Sequence, residues 1–491
     1  MLPARKIVLA AACAAACACL SACGGGGDNE NTLDGQNPPP PPTRYFSIGG
    51  AVDSAFTGKL VLEDQYPVNG ATRTDRVTLS SSGAFQVSSQ VPQGDSYQVS
   101  VATQPPDQYC TVAQGSGTAQ AAVSNVAVSC GPGQLQVIAT IPASGASGYQ
   151  AESAPMLASD GNFYVEMYYG GTANDGTITR ITPAGVVTPL YSFTALGTDG
   201  ARPGWGLVQG ANGELYGTDS FGGGTSDIGS VFAIDLQGSE TILHDFSTTG
   251  ADAKYTESTL TLAGNGNYYG VTQQGGAYNG GAIYSIAPGG AYSVVYSFPA
   301  YTAGGPLSAP YGNLVVGSNG DLYGIATAAG SNNTGGVFEF HPATATLTDF
   351  SSSPAGSPIA YGQLMLASDG NFYGIADVSP NEEIFRVTPA GAFSYLYTFG
   401  SQSGDVSGEP YQLVQASDGD LYGVGNGGGA NGAGGIFRFD PTSSKESVVY
   451  SFASASGSLA YGPSSALYLG ANGLLYGTTA SPGDGVLYAL N

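Results

Sequence analysis

From Gln134 onward, short apolar runs alternate with glycine-rich polar stretches at a nearly fixed period. The clearest marker is a turn glycine, one residue, an aromatic or Leu, then Tyr. It stands as Gly161-Asn-Phe-Tyr164, Gly213-Glu-Leu-Tyr216, Gly266-Asn-Tyr-Tyr269 and Gly320-Asp-Leu-Tyr323, then as Gly370-Asn-Phe-Tyr373, Gly419-Asp-Leu-Tyr422 and Gly473-Leu-Leu-Tyr476, at intervals of 49 to 54 residues. In each period an apolar run such as Leu413-Val414 leads into the turn and a Leu-Tyr-Gly strand leaves it. A glycine-rich loop follows, then a third strand of the type Gly-Val/Ile-Phe: Ser230–Ile234, Ala282–Ile286, Val337–Phe340 and Ile436–Phe439. A fourth strand ends in Tyr-Ser-Phe or its like, as at Tyr191-Ser-Phe193, Tyr296-Ser-Phe298, Tyr397-Thr-Phe399 and Tyr450-Ser-Phe452. The period and the strand count per period predict the blade of a β-propeller. The seventh unit runs only to its third strand, Val486–Leu490, while the apolar stretch Leu135–Thr140 stands unclaimed ahead of the first unit. Pairing the two predicts a closed seven-bladed ring over 134–491 and leaves no open sheet edge at the seam.

Residues 44–131 carry a different pattern. Candidate strands are Arg44–Val52, Lys59–Glu63, Arg76–Leu79, Ala84–Ser88, Tyr97–Thr103, Tyr109–Ala113 and Ala121–Cys130. Alternation such as Tyr97-Gln98-Val99-Ser100-Val101 marks half-buried strands. Seven short strands with turn signals between them predict an immunoglobulin-like or transthyretin-like β-sandwich. Cys110 and Cys130, an even pair some 20 residues apart, are expected to form a disulfide that staples its last two strands.

Composition agrees with an all-β chain: 77 Gly, 31 Tyr and only 10% charged residues favour short strands and tight turns over helices or disorder. The net charge of −24 excludes nucleic acid as an expected partner, because phosphate backbones are held by clustered Lys and Arg. It also argues against docking onto anionic lipid through charge, and fits a soluble monomer. Residues 1–22 read as a leader: Arg5 and Lys6 precede the apolar stretch Ile7–Leu20. Leu20-Ser21-Ala22-Cys23 resembles the lipobox of bacterial lipoproteins, which implies lipidation of Cys23 and export. Gly24 after that cysteine implies the outer membrane of the cell envelope. Residues 23–43, with Gly24–Gly27 and Pro38–Pro42, form a tether.

The repeated units Leu-Tyr-Gly, Gly-(Val/Ile)-Phe and Tyr-Ser-Phe resemble the Gloeo/Verruco (GloVer) tandem repeat of bacterial surface and secreted proteins. The resemblance covers about 350 residues and implies a fold and an address, not an activity. The segment before the repeats is similar to the sandwich domains that precede such arrays in lipoproteins. Unit one departs from the pattern with Val165 where most units have Gly, and unit five shortens its loop to Asp377–Glu383.

In a propeller the loops between strands two and three share one face with the connections between blades. On that face the chain places Asp175, Asp219, Asp227, Tyr278, Asn332, Asn333 and Asn431, and Trp205, Tyr311, Tyr361 and Tyr411 precede the innermost strands, where two readings stand: they ring the tunnel mouth, or they pack between blades while the loop glycines permit tight turns. Polar groups beside aromatic platforms suit sugars. The expected function is therefore a surface-anchored, non-catalytic propeller that binds a glycan or a protein. The alternatives are a polysaccharide hydrolase or lyase with paired carboxylates, for which Asp175, Asp219 and Asp227 are candidates, and a structural role in the envelope. Ser-Asp-Gly at 159–161, 368–370 and 417–419 reads as hairpin-turn chemistry rather than a calcium site. His244 and His341 belong to no catalytic motif and are expected to be exposed or locally hydrogen-bonded. No metal and no cofactor is implied.

Overall fold

The computed structural model describes residues 44–490 apart from 57, 69–70, 104, 106–108, 132–134, 143, 195–198, 223–227, 257, 355–358, 360–362, 379–380, 409–411, 454–461, 471 and 480–484. The described residues are all-β and contain no helix; none is long and apolar enough to cross a membrane. The expectations for the leader, the tether and Cys23 lie outside them.

Two four-stranded sheets open the described chain. One takes Gly83–Pro92, Tyr45–Val52, Val123–Gly131 and Tyr109–Ala113 in that order; the other takes Ala71–Leu79, Leu60–Val68, Ser96–Thr103 and Ser116–Thr118. Their inward positions meet in one apolar core that includes Ile48, Leu62, Tyr66, Val91 and Val128. Eight strands therefore stand where the sequence pattern gives seven. Ser116–Thr118, exposed and without an apolar residue, carries no periodic signal and pairs with Ser96–Gln98. Cys110 and Cys130 face each other across antiparallel strands and form the disulfide.

Seven further antiparallel sheets of four or five strands follow, each built around a repeated unit, with a separate two-stranded piece, Val406–Ser407 against Gly427–Gly428, in unit six. In unit four the order is Ser308–Val316, Leu322–Ala328, Gly336–His341, Thr346–Ser352. The seventh sheet takes Tyr468–Leu469, Leu475–Thr479 and Gly485–Leu490, and completes itself with Leu135–Ile141, which pairs from Leu490↔Leu135 to Gly485↔Ile141. Seven apolar clusters join these sheets in sequence, and the last joins the seventh to the first: Ala139, Ile141 and Tyr476 pack with Ala151, Phe163 and Val165. The contacts form a closed cycle.

The repeated residues have separate physical causes. Asp160, Asn212, Asn265, Asn319, Asp369, Asp418 and Asn472 each reach the hydroxyl of the Tyr four residues on, at 2.8–3.0 Å. All seven also accept a backbone N–H two residues on. The turn glycine between them has φ near +80° in every unit, a conformation that favours Gly. The glycine after Tyr is needed for space instead. A Cβ on Gly324 would lie 2.5 Å from the ring tip of Phe338, its cross-strand partner. That ring in turn meets Phe298, from the Tyr-Ser-Phe of the preceding unit, at 5.3 Å. Tyr-Gly, Gly-Val-Phe and Tyr-Ser-Phe are thus parts of one contact between neighbouring sheets. Unit one, the departure, compensates: Val165 faces Thr179, where the other units have an aromatic ring opposite Gly.

Candidate functional site

The first strand of a unit is not the single apolar run that the sequence suggests. In units one to three it comes in two short pieces, such as Tyr149–Ala151 and Met156–Leu157, both paired with the second strand. The break follows a residue in the left-handed region: Gln150, Arg202, Tyr255 and Ala309 occupy equivalent positions with φ of 53–63°. Such an outlier bends the strand as a bulge does. The residues after it turn toward the axis of the cycle. They line a cavity of about 1010 Å³ to which all seven sheets contribute.

Trp205 and Tyr311 converge there. They come from sheets two and four, and their rings meet edge to face at 6.5 Å. The Trp205 indole N–H donates to the Ser220 hydroxyl at 2.8 Å, and the Trp205 carbonyl accepts the Thr259 hydroxyl. Both aromatics lie within or beside the broken inner strand rather than ahead of it. Amide side chains supply much of the remaining lining: Gln150, Gln363, Gln412 and Asn426. Two carboxylates open onto the same space, Glu152 and Glu382. Burial by the surrounding walls raises the Glu152 carboxyl above its usual range, while the Gln150 amide, donating at 2.7 Å, pulls it down.

Directly behind the wall lies Glu166. The position two residues after the repeat Tyr is Thr, Val or Ile in the other six units and Glu in the first. Its Oε2 accepts the Gly206 N–H at 2.6 Å, and the Ser153 hydroxyl also bonds to it; Gly206 and Ser153 both line the cavity. Full burial pushes the carboxyl up to about 7 against those two bonds. Among the described residues its Oε1 has no hydrogen-bond partner, and neither has the buried side-chain oxygen of Gln363.

Several other residues expected on the ligand face make bonds within the scaffold. Asp219 is fully buried in the second strand of its unit. It accepts the Ser230 N–H at 2.9 Å and the Ser230 hydroxyl at 2.6 Å, which ties strand two to strand three, and burial raises its carboxyl well above the usual range. Asn332 and Asn431 donate to the carbonyls of Ser353 and Phe452, and Asn333 accepts the Gly304 N–H. The Asp175 carbonyl accepts the Arg202 N–H of the next sheet. Tyr278 is 64% exposed and is not among the cavity residues. Asp227, Tyr361 and Tyr411 lie outside the described residues. Glu152, Glu166, Gln363 and Glu382 were not singled out from sequence; for Glu166 the signal was its break with the aligned units.

Both histidines are locally bonded. His244 Nε2 lies 3.1 Å from Asp252 and its ring stacks on Tyr292 at 3.4 Å. His341 Nδ1 lies 2.8 Å from Asp321. Asp321, Glu339 and His341 present ligand-type atoms within 4.8 Å of one another. Asn319 bonds both carboxylates of that group, and the Tyr323 hydroxyl bonds Glu339.

A family model described as the Gloeobacter/Verrucomicrobia repeat matches residues 97–309 and 300–490. A search of the curated proteins finds no match. Among solved structures, an extracellular domain from B. thetaiotaomicron is similar at 10% identity and a TM-score of 0.48, over 72% of this chain and 39% of that one. The chain therefore spans about two fifths of that relative's length. Oligogalacturonate lyase from Vibrio parahaemolyticus matches at 9% identity and 0.47, over 73% of this chain and 97% of the lyase. The periplasmic gluconolactonase of Pseudomonas aeruginosa matches at 17% and 0.43, over 67% and 95%. Likeness of this degree transfers neither activity nor substrate.

Proposed function

The chain belongs to the Gloeobacter/Verrucomicrobia repeat family, and from that premise we propose an exported seven-bladed β-propeller, preceded by a β-sandwich, that binds a glycan in its axial cavity without transforming it. The seven sheet-to-sheet cores, which run around the cycle without a gap, support the propeller reading. The two facing sheets over one core support the sandwich. A disulfide at Cys110–Cys130 accords with an oxidising compartment.

One observation carries the binding reading: the axial cavity combines an aromatic pair, Trp205 and Tyr311, with a set of amide side chains. Sugars present flat apolar faces and directional hydroxyls, and this lining matches both. On a glycan array the purified protein binds an oligosaccharide, and Trp205→Ala weakens that binding by about tenfold or more with little change in melting temperature. An array without a hit overturns the reading.

A polysaccharide hydrolase or lyase is the second reading. It is favoured by the raised carboxyl of Glu152 opening onto the same cavity as Glu382. It requires new reducing ends or unsaturated products from a polysaccharide panel, lost in Glu152→Gln. Failure to release any product removes it.

A further inference from the structure

We infer that the axial cavity takes a sugar bearing free amino groups, a deacetylated and positively charged amino sugar, in preference to N-acetylated, neutral or uronate sugars. This rests on the reading of the cavity as a glycan site. Among the described residues that line it, Glu152 and Glu382 are acidic and none is Lys, Arg or His. Two acceptors at its wall have no donor among the described residues: the side-chain oxygen of Gln363, which is part of the lining, and Oε1 of the fully buried Glu166 just behind it. Both oxygens are too buried to touch a ligand directly, but as uncompensated acceptors they make the wall electronegative and so favour positive charge beside it. An ammonium group is a donor in three directions and accepts nothing. Its charge is also attracted by the face of an indole or phenol ring, and Trp205 and Tyr311 offer both. A uronate carboxylate would meet Glu152 and Glu382 across a partly enclosed space where like charges repel strongly. An N-acetyl group removes the charge and two of the three donors.

Because the whole chain carries a net charge of −24, the test must separate the cavity from diffuse attraction. Calorimetric titration of the purified protein at about 150 mM salt compares three probes: glucosamine tetrasaccharide, N-acetylglucosamine tetrasaccharide and tetragalacturonate. The glucosamine oligomer is expected to bind about tenfold more tightly than its acetylated counterpart, and tetragalacturonate not to bind. Glu152→Gln weakens the glucosamine oligomer by about tenfold, and Glu382→Gln serves as a second variant should the first misfold. Asp53→Asn, which removes the same charge from an exposed position in the N-terminal sheets, leaves the affinity unchanged. Equal or tighter binding of the acetylated oligomer overturns the amine preference and leaves the glycan site standing. An equal loss in Asp53→Asn overturns it too, since the attraction is then diffuse. If none of the three sugars binds while an array reports another glycan, only this inference falls; if no glycan binds at all, the reading beneath it falls as well.

Discussion

Gly320 and Gly324 lie four residues apart in one unit. At Gly320 nothing surrounds the missing Cβ, but φ is +85°, so an alanine there is disfavoured by its backbone alone, by about 1–2 kcal/mol. At Gly324 the conformation is ordinary and the obstacle is the Phe338 ring. Gly324→Val is therefore expected to destabilise through overpacking, by roughly 1–3 kcal/mol or more. The double variant Gly324→Val with Phe338→Thr copies the Val165–Thr179 pair of unit one and should recover part of that loss in urea melts. A double variant worse than the sum of the singles would contradict the pairing. A carboxyl pair makes the second residue-scale prediction. Glu446 and Asp405 share the Tyr397 hydroxyl, at 3.4 and 2.8 Å. Burial first, then the neighbouring Asp405, pushes Glu446 up to about 8 from 4.5. The folded chain therefore holds that proton more tightly than the unfolded chain. This contribution to stability is complete below pH 4.5 and is lost as pH rises toward about 8. Relative to Glu446→Gln, the unaltered protein should lose unfolding free energy steadily across that window. A difference that stays flat with pH would refute it.

The strand Leu135–Ile141 is the element on which the cycle depends. It supplies Ala139 and Ile141 to the core between the seventh and first sheets. Ile141→Asp buries a charge there without a partner, and should both lower the melting temperature and speed hydrogen exchange along Gly485–Leu490, which would become an edge. Exchange no faster than in the unaltered protein would show that the seam is held elsewhere. This element was legible in the chain because its apolar alternation stood outside every unit, while the last unit lacked a fourth strand. Periodicity likewise marked the third strands, Ser230–Ile234 and Ala282–Ile286, to the residue. The broken inner strand was not legible. Its bulge residues, Gln150, Arg202, Tyr255 and Ala309, share no side-chain type, so no residue pattern marks them. Sequence singled out Trp205 and Tyr311, which the structure places on the cavity wall, but not the carboxylates of Glu152 and Glu382. Aromatics flanking a repeat stand out, but a glutamate in an acidic chain does not.

For the molecule as a whole, an address is part of the proposed function. If Cys23 carries lipid, the protein partitions with membranes when cells are fractionated, takes up labelled palmitate, and Cys23→Ser abolishes both. Uptake that persists in the variant would remove the anchor. The antiparallel pairing of Leu135 with Leu490 also sets a timetable. Its partners are separated by roughly 350 positions, so the first β-segment of the ring to emerge must wait for the last one. Six sheets can assemble as the chain emerges; the seventh cannot. A truncated product would display an orphan segment at its head, and surveillance proteases would have a simple way to tell unfinished chains from finished ones.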